Sequence, residues 1–197
     1  MNTTNFKALL ILFLILGQYL PAKGQTKEIP RQVEVFPLSE VRLLDGPFKH
    51  AEALDINNLL DLNADRLLAP YLKEAGLTPK ADNYTNWENT GLDGHIGGHY
   101  LSALAQMYAS TGDARIKERL DYMLNELQRC QDASGDGYLC GVPRGKAMWQ
   151  EIAKGDIRAS SFGLNDKWVP LYNIHKIYAG LYNTYLYTGS AQARTMF

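Results

Sequence analysis

Two stretches of the sequence carry most of the side chains that could bind a small polar ligand. The first, residues 87–100, reads WENTGLDGHIGGHY and combines an indole, a carboxylate and two imidazoles in Trp87, Asp93, His95 and His99. Carboxylates and imidazoles form hydrogen bonds with hydroxyl groups, and glycines let a ligand approach the backbone closely. The pattern predicts a sugar-facing loop just ahead of a helix.

The second stretch, residues 168–176, reads WVPLYNIHK and repeats this combination. Trp168 and Tyr172 offer aromatic faces that suit stacking on the C–H surface of a sugar, and His175 can bind its hydroxyl groups. We therefore predict that Trp168, Tyr172 and His175 belong with the first group as substrate-binding residues. The alternative is an aromatic core in which the imidazole of His175 is already satisfied.

The two histidines of the first stretch allow other interpretations. His95 and His99 are spaced i, i+4, which on a helix places both on one face, as in metal-binding pairs. Gly97 and Gly98 argue against a regular helix through this interval because glycine is a poor helix former, so we predict no metal ligand here. His99 could instead cap or pack the start of the following helix.

The carboxyl groups do not by themselves identify a catalytic pair. Glycosidases usually need two carboxyl groups about 5 to 9 Å apart across the scissile bond. The candidates by residue type are Glu88, Asp93, Asp132, Asp136, Glu151, Asp156 and Asp166. Because sequence spacing cannot pair any two of them, no catalytic residue is assigned.

Apolar periodicity predicts that long helices position these side chains. One helical pattern starts at Phe48 and is expected to stop at Pro70. Residues 101–108 and 116–127 carry two further apolar stripes, and Thr111-Gly112-Asp113 joins them. The sequence therefore predicts an α-helical hairpin with a tight turn. The sequence predicts a glycine-rich loop at residues 131–145 and an irregular segment at residues 146–168.

Helical periodicity returns at Ile174 and ends at Thr188-Gly189. A shift of 77 residues aligns this Thr-Gly pair with Thr111-Gly112 and also aligns Leu181 with Leu104. Long amphipathic helices joined by Thr-Gly turns favour an incomplete (α/α)6 toroid of helical hairpins over a compact bundle. The helix starts in such a toroid line one mouth, so His99 and His175 would face a common cleft.

The composition indicates a globular protein without a nucleic-acid partner. The chain has 197 residues, of which 46% are hydrophobic, and Lys+Arg number 20 against 21 Asp+Glu. This balance provides no basic field to attract a polyanion.

The N-terminal residues predict export. Lys7 precedes the apolar run ALLILFLIL at residues 8–16, and the small residues Ala22 and Gly24 fit a cleavage site before Gln25. The run is shorter than the roughly 20 residues that span a bilayer, so we expect no membrane span after cleavage. We divide the chain into a signal peptide (1–24), an extended arm (25–46) and a helical domain (47–197), and predict a secreted or periplasmic protein.

Two further features bear on completeness and redox state. Cys130 and Cys140 could form a bridge in an oxidising compartment, but two independent thiols are the simpler expectation. Residues 191–197 resemble the opening of another helix rather than a finished C-terminus. We therefore expect this chain to be the N-terminal, truncated part of a longer catalytic domain.

Three motifs resemble the N-terminal region of the β-L-arabinofuranosidases of glycoside hydrolase families 127 and 146. They are WENTGLDGHIGGHYLSA at residues 87–103, GYLCGVP at 137–143 and KWVPLYNIHKIYAGL at 167–181. The resemblance extends from about Val33 to Phe197, and the motifs are long enough to be fairly specific.

The resemblance implies an (α/α)6 barrel followed by β-sandwich domains, and retaining hydrolysis of terminal β-L-arabinofuranosyl residues on plant glycans. It also implies a zinc-bound Cys as nucleophile and a Glu as acid/base, both expected beyond Phe197, so this part alone should be inactive. His175 matches a family position that resembles a substrate contact, and His99 is a weaker match. Neither Cys130 nor Cys140 matches the family's clustered Cys motif.

Two other functions stay open from the sequence. One is a different toroid sugar enzyme, such as an unsaturated-uronyl hydrolase or lyase that works without zinc. The other is a noncatalytic glycan-binding or scaffold protein built on the same toroid.

Overall fold

The computed structural model describes residues 33–197, which are mostly α-helical. The seven α-helices of this part are α1 (Pro47–Asp61), α2 (Ala64–Glu74), α3 (His95–Thr111), α4 (Ala114–Ser134), α5 (Gly145–Ala153), α6 (Pro170–Thr188) and α7 (Ala191–Met196). Two short strands, β1 (Gly163–Leu164) and β2 (Lys167–Trp168), form an antiparallel pair. The prediction of an all-α class is confirmed at this level.

The predicted signal peptide, residues 1–24, lies outside the described residues, as does the first part of the predicted arm. Within the rest of the arm, Leu38–Glu40 form a short 3-10 helix, so this part of it is not extended throughout. No helix within residues 33–197 combines the length and the apolar character needed to cross a bilayer.

Asn63 divides the region that the sequence pattern predicts as one helix. Its side-chain oxygen accepts hydrogen bonds from the backbone N–H groups of Asp65 and Arg66, which starts α2 immediately after α1 has ended. Pro70 lies inside α2 rather than stopping a helix, so that prediction is wrong. Residues 67–72 are all buried, and their packing holds the helix despite the missing proline N–H.

The predicted hairpin is confirmed as α3 and α4. Gly112 ends α3 in the left-handed conformation, with φ 70°, and the side chain of Asp113 then caps α4. The predicted apolar stripe of α4 is buried along its whole length, at Ile116, Leu120, Met123, Leu124 and Leu127. These residues pack against α3 and α2 in one core.

The start of α3 differs from the prediction because Gly97 and Gly98 are helical. A Cβ atom on Gly98 would lie 2.3 Å from the carbonyl carbon of Lys176, and one on Gly180 would lie 2.7 Å from the carbonyl oxygen of Gly98. The glycines therefore serve the close approach of α3 and α6, which form the most extensive helix–helix contact of the described residues.

Helices α3 and α6 run in the same direction. Gly98 lies against Lys176, and further towards the C-terminal end of both helices the side-chain amide of Asn183 donates to the hydroxyl of Ser102 across 3.0 Å. Gly189 ends α6 as Gly112 ends α3, since it has a φ of 69° and its N–H donates to the carbonyl of Tyr185. The alignment by 77 residues thus corresponds to two helices of the same kind and the same C-cap.

The segment that the sequence predicts as irregular, residues 146–168, contains helix α5, so the prediction is wrong there. The carboxylate of Glu74 accepts hydrogen bonds from the backbone N–H groups of Arg144 and Lys146 and so caps this helix. A cap supplied from 70 residues away leaves no local signal in the sequence. The remainder, residues 154–169, forms a loop around β1 and β2.

Candidate functional site

Three segments that are distant in sequence meet at the N-terminal ends of α3 and α6. Gly94, which precedes α3, has a φ of 89°, and a Cβ atom on it would lie 3.0 Å from the Cα atom of Gly141. A Cβ atom on Gly141 would lie 2.7 Å from the carbonyl oxygen of Asp93. The two loops therefore pack backbone against backbone, and only glycine fits at the junction.

Asn173 ties the start of α6 to the same junction. Its side-chain amide donates to the carbonyl of Asp93 across 2.9 Å, and its Oδ1 lies 3.7 Å from the Sγ atom of Cys140. The side chain is buried. Sequence reasoning missed this residue, because its position inside an aromatic helix start gives no sign of which backbone group it binds.

His95 lies at the centre of an aromatic and imidazole cluster. Its ring centroid is 6.1 Å from that of Trp87, 6.3 Å from that of His99 and 6.3 Å from that of Tyr172. The nitrogen Nζ of Lys176 lies 4.4 Å from the ring centroid of Tyr172. The structure thus brings together side chains from both predicted stretches.

The members of this cluster differ in exposure. His95 is 5% exposed, whereas Trp87 is 61% exposed, and Tyr172, His99 and His175 are exposed as well. A sugar could therefore reach two imidazoles and two aromatic faces from solvent. Such faces stack on the C–H surface of a sugar while the ring nitrogens bind its hydroxyl groups.

Trp168 lies beside the cluster at the end of β2. Its Cβ atom is 3.7 Å from the position that a Cβ atom would take on Gly91, and its side chain is partly exposed. The next residue, Val169, has a φ of 38°, which is rare for a β-branched residue. This conformation turns the chain sharply from β2 into α6 and so places Trp168 next to the loop that precedes α3.

Asp93 occupies a different position from the one the sequence predicts. The side chain is 6% exposed, and its carboxylate accepts hydrogen bonds from the N–H of Gly91 and from the side-chain amide of Asn83. Burial raises the pKa of this carboxyl, and the Gly91 N–H opposes that shift. The carboxylate oxygens thus serve the loop itself.

Glu88 is a buried carboxyl that sequence reasoning names only by residue type. It lies in the short 3-10 helix Asn86–Asn89 and is 1% exposed. Its oxygens accept hydrogen bonds from the N–H groups of Gly94 and Ile96, each 2.9 Å long, and one oxygen lies 2.6 Å from Nδ1 of His95. Burial raises its pKa, and the two N–H groups and the His95 imidazole oppose that shift.

His99 and His175 lie near the starts of the adjacent parallel helices α3 and α6. Partial burial lowers the pKa of His99, and the nearby Lys176, His95 and His175 lower it further. The lowered pKa favours the neutral imidazole of His99, which can both donate and accept a hydrogen bond.

An open, mostly apolar cleft of about 340 Å³ adjoins the cluster. The loop before α6 forms one side of it and the first turn of α6 the other. Its lining residues include Phe162, Leu164, Leu171 and Tyr172. Tyr172 belongs to both the cleft and the cluster.

The described residues do not test the zinc site, because the resemblance implies that its ligands lie outside them. Within residues 33–197, no three His, Cys, Asp or Glu side chains are grouped so that they could hold a metal ion. Cys130 and Cys140 are free and buried, and burial raises the pKa of the Cys130 thiol to about 12. Such thiols are poor sources of the thiolate that binds zinc.

Two comparisons with known proteins bear on this site. No curated protein matches the chain. Residues 40–197 match the family described as β-L-arabinofuranosidase, GH127 catalytic domain. This range covers most of the chain and includes α1 to α7 and all three segments that meet at the cluster. A glycoside hydrolase acts on a carbohydrate, which agrees with exposed imidazoles beside exposed aromatic rings. The chain therefore belongs to the family of glycoside hydrolases that carry the GH127 β-L-arabinofuranosidase catalytic domain.

Proposed function

We propose that this chain is part of a secreted, retaining β-L-arabinofuranosidase that removes terminal β-L-arabinofuranosyl residues from plant glycans. The family supports a glycosidase that acts on arabinofuranosyl groups. The observation that carries the proposal is that exposed Trp87, His99 and Tyr172 each lie within 6.3 Å of the ring of His95, and that exposed His175 lies near His99.

The proposal assigns roles within this cluster. His99 and His175 bind hydroxyl groups of the arabinofuranosyl ring, and Trp87, Trp168 and Tyr172 pack on its C–H surfaces. His95 contributes a further hydrogen bond from the floor of the cluster. Asp93 holds the loop rather than the sugar, because its side chain is 6% exposed and its carboxylate accepts hydrogen bonds from Gly91 and Asn83 of that loop.

For the architecture, we propose an incomplete (α/α)6 toroid. The parallel helices α3 and α6 are its inner helices, and α4 and α7, which follow them after equivalent glycine caps, are outer helices. Contact between α4 and α7 supports this arrangement. The same end of the inner helices then forms the mouth at which His99 and His175 lie.

The zinc–thiolate chemistry also belongs to the proposal. We place the zinc ligands, the Cys nucleophile and the Glu acid/base outside residues 33–197, as the family resemblance implies. A metal-bound thiolate would supply the nucleophile. Removal of zinc with a chelator should then abolish hydrolysis by the intact enzyme, and added zinc should restore it.

The test of the substrate is hydrolysis of a chromogenic β-L-arabinofuranoside by the intact enzyme. Turnover of unsaturated uronides instead would indicate the other class of toroid sugar enzyme, and binding of arabinan without turnover would indicate a noncatalytic protein. Either result would overturn the proposal.

His175→Ala tests the cluster in the same assay. Removing a side chain that bonds the substrate in the transition state should lower kcat/KM by about 100-fold or more. His50→Ala, at an exposed position on α1, is the matched control and should retain full activity. Near-normal turnover by the His175 variant would exclude a substrate contact.

Export can be tested directly on the protein as its natural host produces it. N-terminal sequencing of the protein recovered outside the cytoplasm should begin near Gln25. A protein that retains Met1 inside the cell would contradict secretion.

A further inference from the structure

Two glutamates among the described residues, one buried and one half-buried, cap helices to which they do not themselves belong. Their contacts differ in one respect. Glu74 accepts the N–H groups of Arg144 and Lys146 at the start of α5, and Glu88 accepts those of Gly94 and Ile96 at the start of α3. Glu88 alone of the two also contacts an imidazole, with 2.6 Å between its Oε1 and Nδ1 of His95. Helix capping therefore does not account for everything that Glu88 does.

The contacts of Nδ1 fix the tautomer of His95. This nitrogen lies 2.6 Å from the carboxylate of Glu88 and 2.8 Å from the carbonyl oxygen of Leu92. A carbonyl oxygen can only accept a hydrogen bond, and so can an ionised carboxylate, so Nδ1 must carry the proton. In the neutral imidazole, Nε2 then has a free lone pair and accepts a hydrogen bond.

The other ring nitrogen of His95 is open to a ligand. Within residues 33–197, Nε2 of His95 has no hydrogen-bond partner in the protein. The one buried side-chain polar atom of these residues without a partner is a different atom, Oη of Tyr138. Nε2 is thus not a buried atom left without a partner among these residues, although the side chain as a whole is 5% exposed. The rings of Trp87, His99 and Tyr172 surround this imidazole, so the open nitrogen belongs to the cluster.

We propose that Glu88 is a positioning residue: together with the carbonyl of Leu92, which accepts a hydrogen bond from Nδ1, its nearby carboxylate holds His95 as the Nδ1–H tautomer, so that Nε2 accepts a hydrogen bond from one hydroxyl group of the bound sugar. The role of the sugar rests on the proposed function, whereas the tautomer does not. A fixed acceptor discriminates for a hydroxyl at one position of the sugar ring, because a bound ligand that lacks this hydroxyl leaves Nε2 without a hydrogen-bond partner.

The first experiment determines the tautomer of His95 in the absence of any sugar. Long-range ¹H–¹⁵N NMR spectra of the intact protein should show His95 as the Nδ1–H tautomer. Glu88→Gln places an amide that is both donor and acceptor against Nδ1, and a measurable fraction of the Nε2–H tautomer should appear. Glu88→Asp, which keeps the charge, should restore most of the original tautomer. An Nε2–H tautomer in the unmodified protein, or no change in Glu88→Gln, overturns the proposal.

The second experiment measures affinity for methyl β-L-arabinofuranoside by calorimetry. Loss of the fixed acceptor should weaken binding by Glu88→Gln about tenfold or more, and Glu88→Asp should recover part of this loss. Glu74→Gln is the matched control, since it alters a helix cap of the same kind without touching an imidazole. An equal loss in Glu74→Gln would show that capping alone explains the effect and would overturn the proposal.

The two experiments separate failure of this proposal from failure of the proposed function. An intact protein that binds no arabinofuranoside while its His95 shows the expected tautomers would refute the substrate and with it the sugar contact, but not the role of Glu88 in fixing the imidazole. Unchanged sugar affinity in a variant whose tautomer has shifted would refute the sugar contact of Nε2 and leave the substrate standing.

Discussion

At the residue scale, the cluster joins buried groups that set geometry to exposed groups that can touch a ligand. Glu88, Asp93 and Asn173 form hydrogen bonds with backbone groups, and each of them is buried. His99 and His175 are exposed on neighbouring helices. The buried groups limit the motion of the loop before α3, which reduces the entropy lost when a ligand binds.

The pKa of His99 is the first quantity to test at this scale. Its folded-state pKa should lie below the usual value of about 6.5. As the pH falls through 6.5, the unfolded chain therefore takes up a proton at this residue before the folded chain does, and the contribution of His99 to stability declines. NMR titration of the intact protein measures this pKa. A value at or above 6.5 would contradict the environment described for His99.

Lys176→Met separates the effect of burial on the pKa of His99 from the effect of the Lys176 charge. Removing the ammonium should raise the pKa of His99 towards its usual value, while partial burial keeps it from reaching that value. Lys154→Met removes the same charge at an exposed position after α5 and should leave the titration unchanged. An unchanged midpoint in Lys176→Met would show that its charge does not act on His99.

At the element scale, two helix–turn–helix units share one design. Helices α3 and α6 each end at a left-handed glycine, and a polar side chain, from Asp113 or Ser190, caps the next helix. The parallel packing of α3 on α6 depends on Gly98 and Gly180 at their contact. The turns therefore set the direction of the chain, and the glycine contact sets the distance between the two helices.

Gly112→Ala and Gly189→Ala should each reduce the free energy of unfolding by about 1 kcal/mol. No atom lies within 4 Å of the position of an added Cβ at either residue, so the cost arises from the positive φ alone. Asn tolerates this conformation better, and Gly112→Asn should therefore cost less than Gly112→Ala. Urea denaturation measures the differences. If Gly112→Ala, Gly189→Ala and Gly112→Asn were all as stable as the unmodified protein, the left-handed caps would be contradicted.

Gly98→Ala should cost more, although alanine favours helices over glycine by about 0.5–1 kcal/mol. The added Cβ would lie 2.3 Å from the backbone of Lys176, so α6 must move, at a cost of about 1–3 kcal/mol or more. Gln106→Ala, at an exposed site on the same helix, is the control and should be nearly neutral. A gain of stability in Gly98→Ala would contradict the close contact of α3 with α6.

At the scale of the molecule, residues 36–197 form one compact unit with a continuous apolar core. The core draws on α1, α2, α3, α4, α6 and α7, so the helices that carry the cluster share it with those that do not. Loss of packing in one helix should therefore destabilise all of them together, and the unit should unfold in a single transition.

Leu120→Ala tests this coupling. Leu120 is fully buried on α4, and its truncation should reduce the free energy of unfolding by about 2–5 kcal/mol. Leu186→Ala, at a site on α6 that is about half exposed, should change it by no more than about 0.5 kcal/mol. Far-ultraviolet circular dichroism and tryptophan fluorescence should report one coincident transition for Leu120→Ala. Two separate transitions would contradict a single core.

The sequence by itself determined the features that depend on near neighbours. The amphipathic stripes of α3, α4 and α6 and the glycine caps at Gly112 and Gly189 were predictable, because periodicity and backbone preference act within a few residues. The two ligand-binding stretches were predictable as pieces, from residue type and from the family resemblance.

Only the tertiary structure decided how those pieces meet. Helix α5 depends on a cap from Glu74, and the helical state of Gly97 and Gly98 depends on a close approach to α2 and α6. Asn173 gains its partner when distant segments pack together, whereas Glu88 gains its partners when the loop before α3 folds back on the start of that helix. A hydrogen bond across 80 residues satisfies a buried polar group and gives no periodic signal, so its partners appear only when the chain is folded.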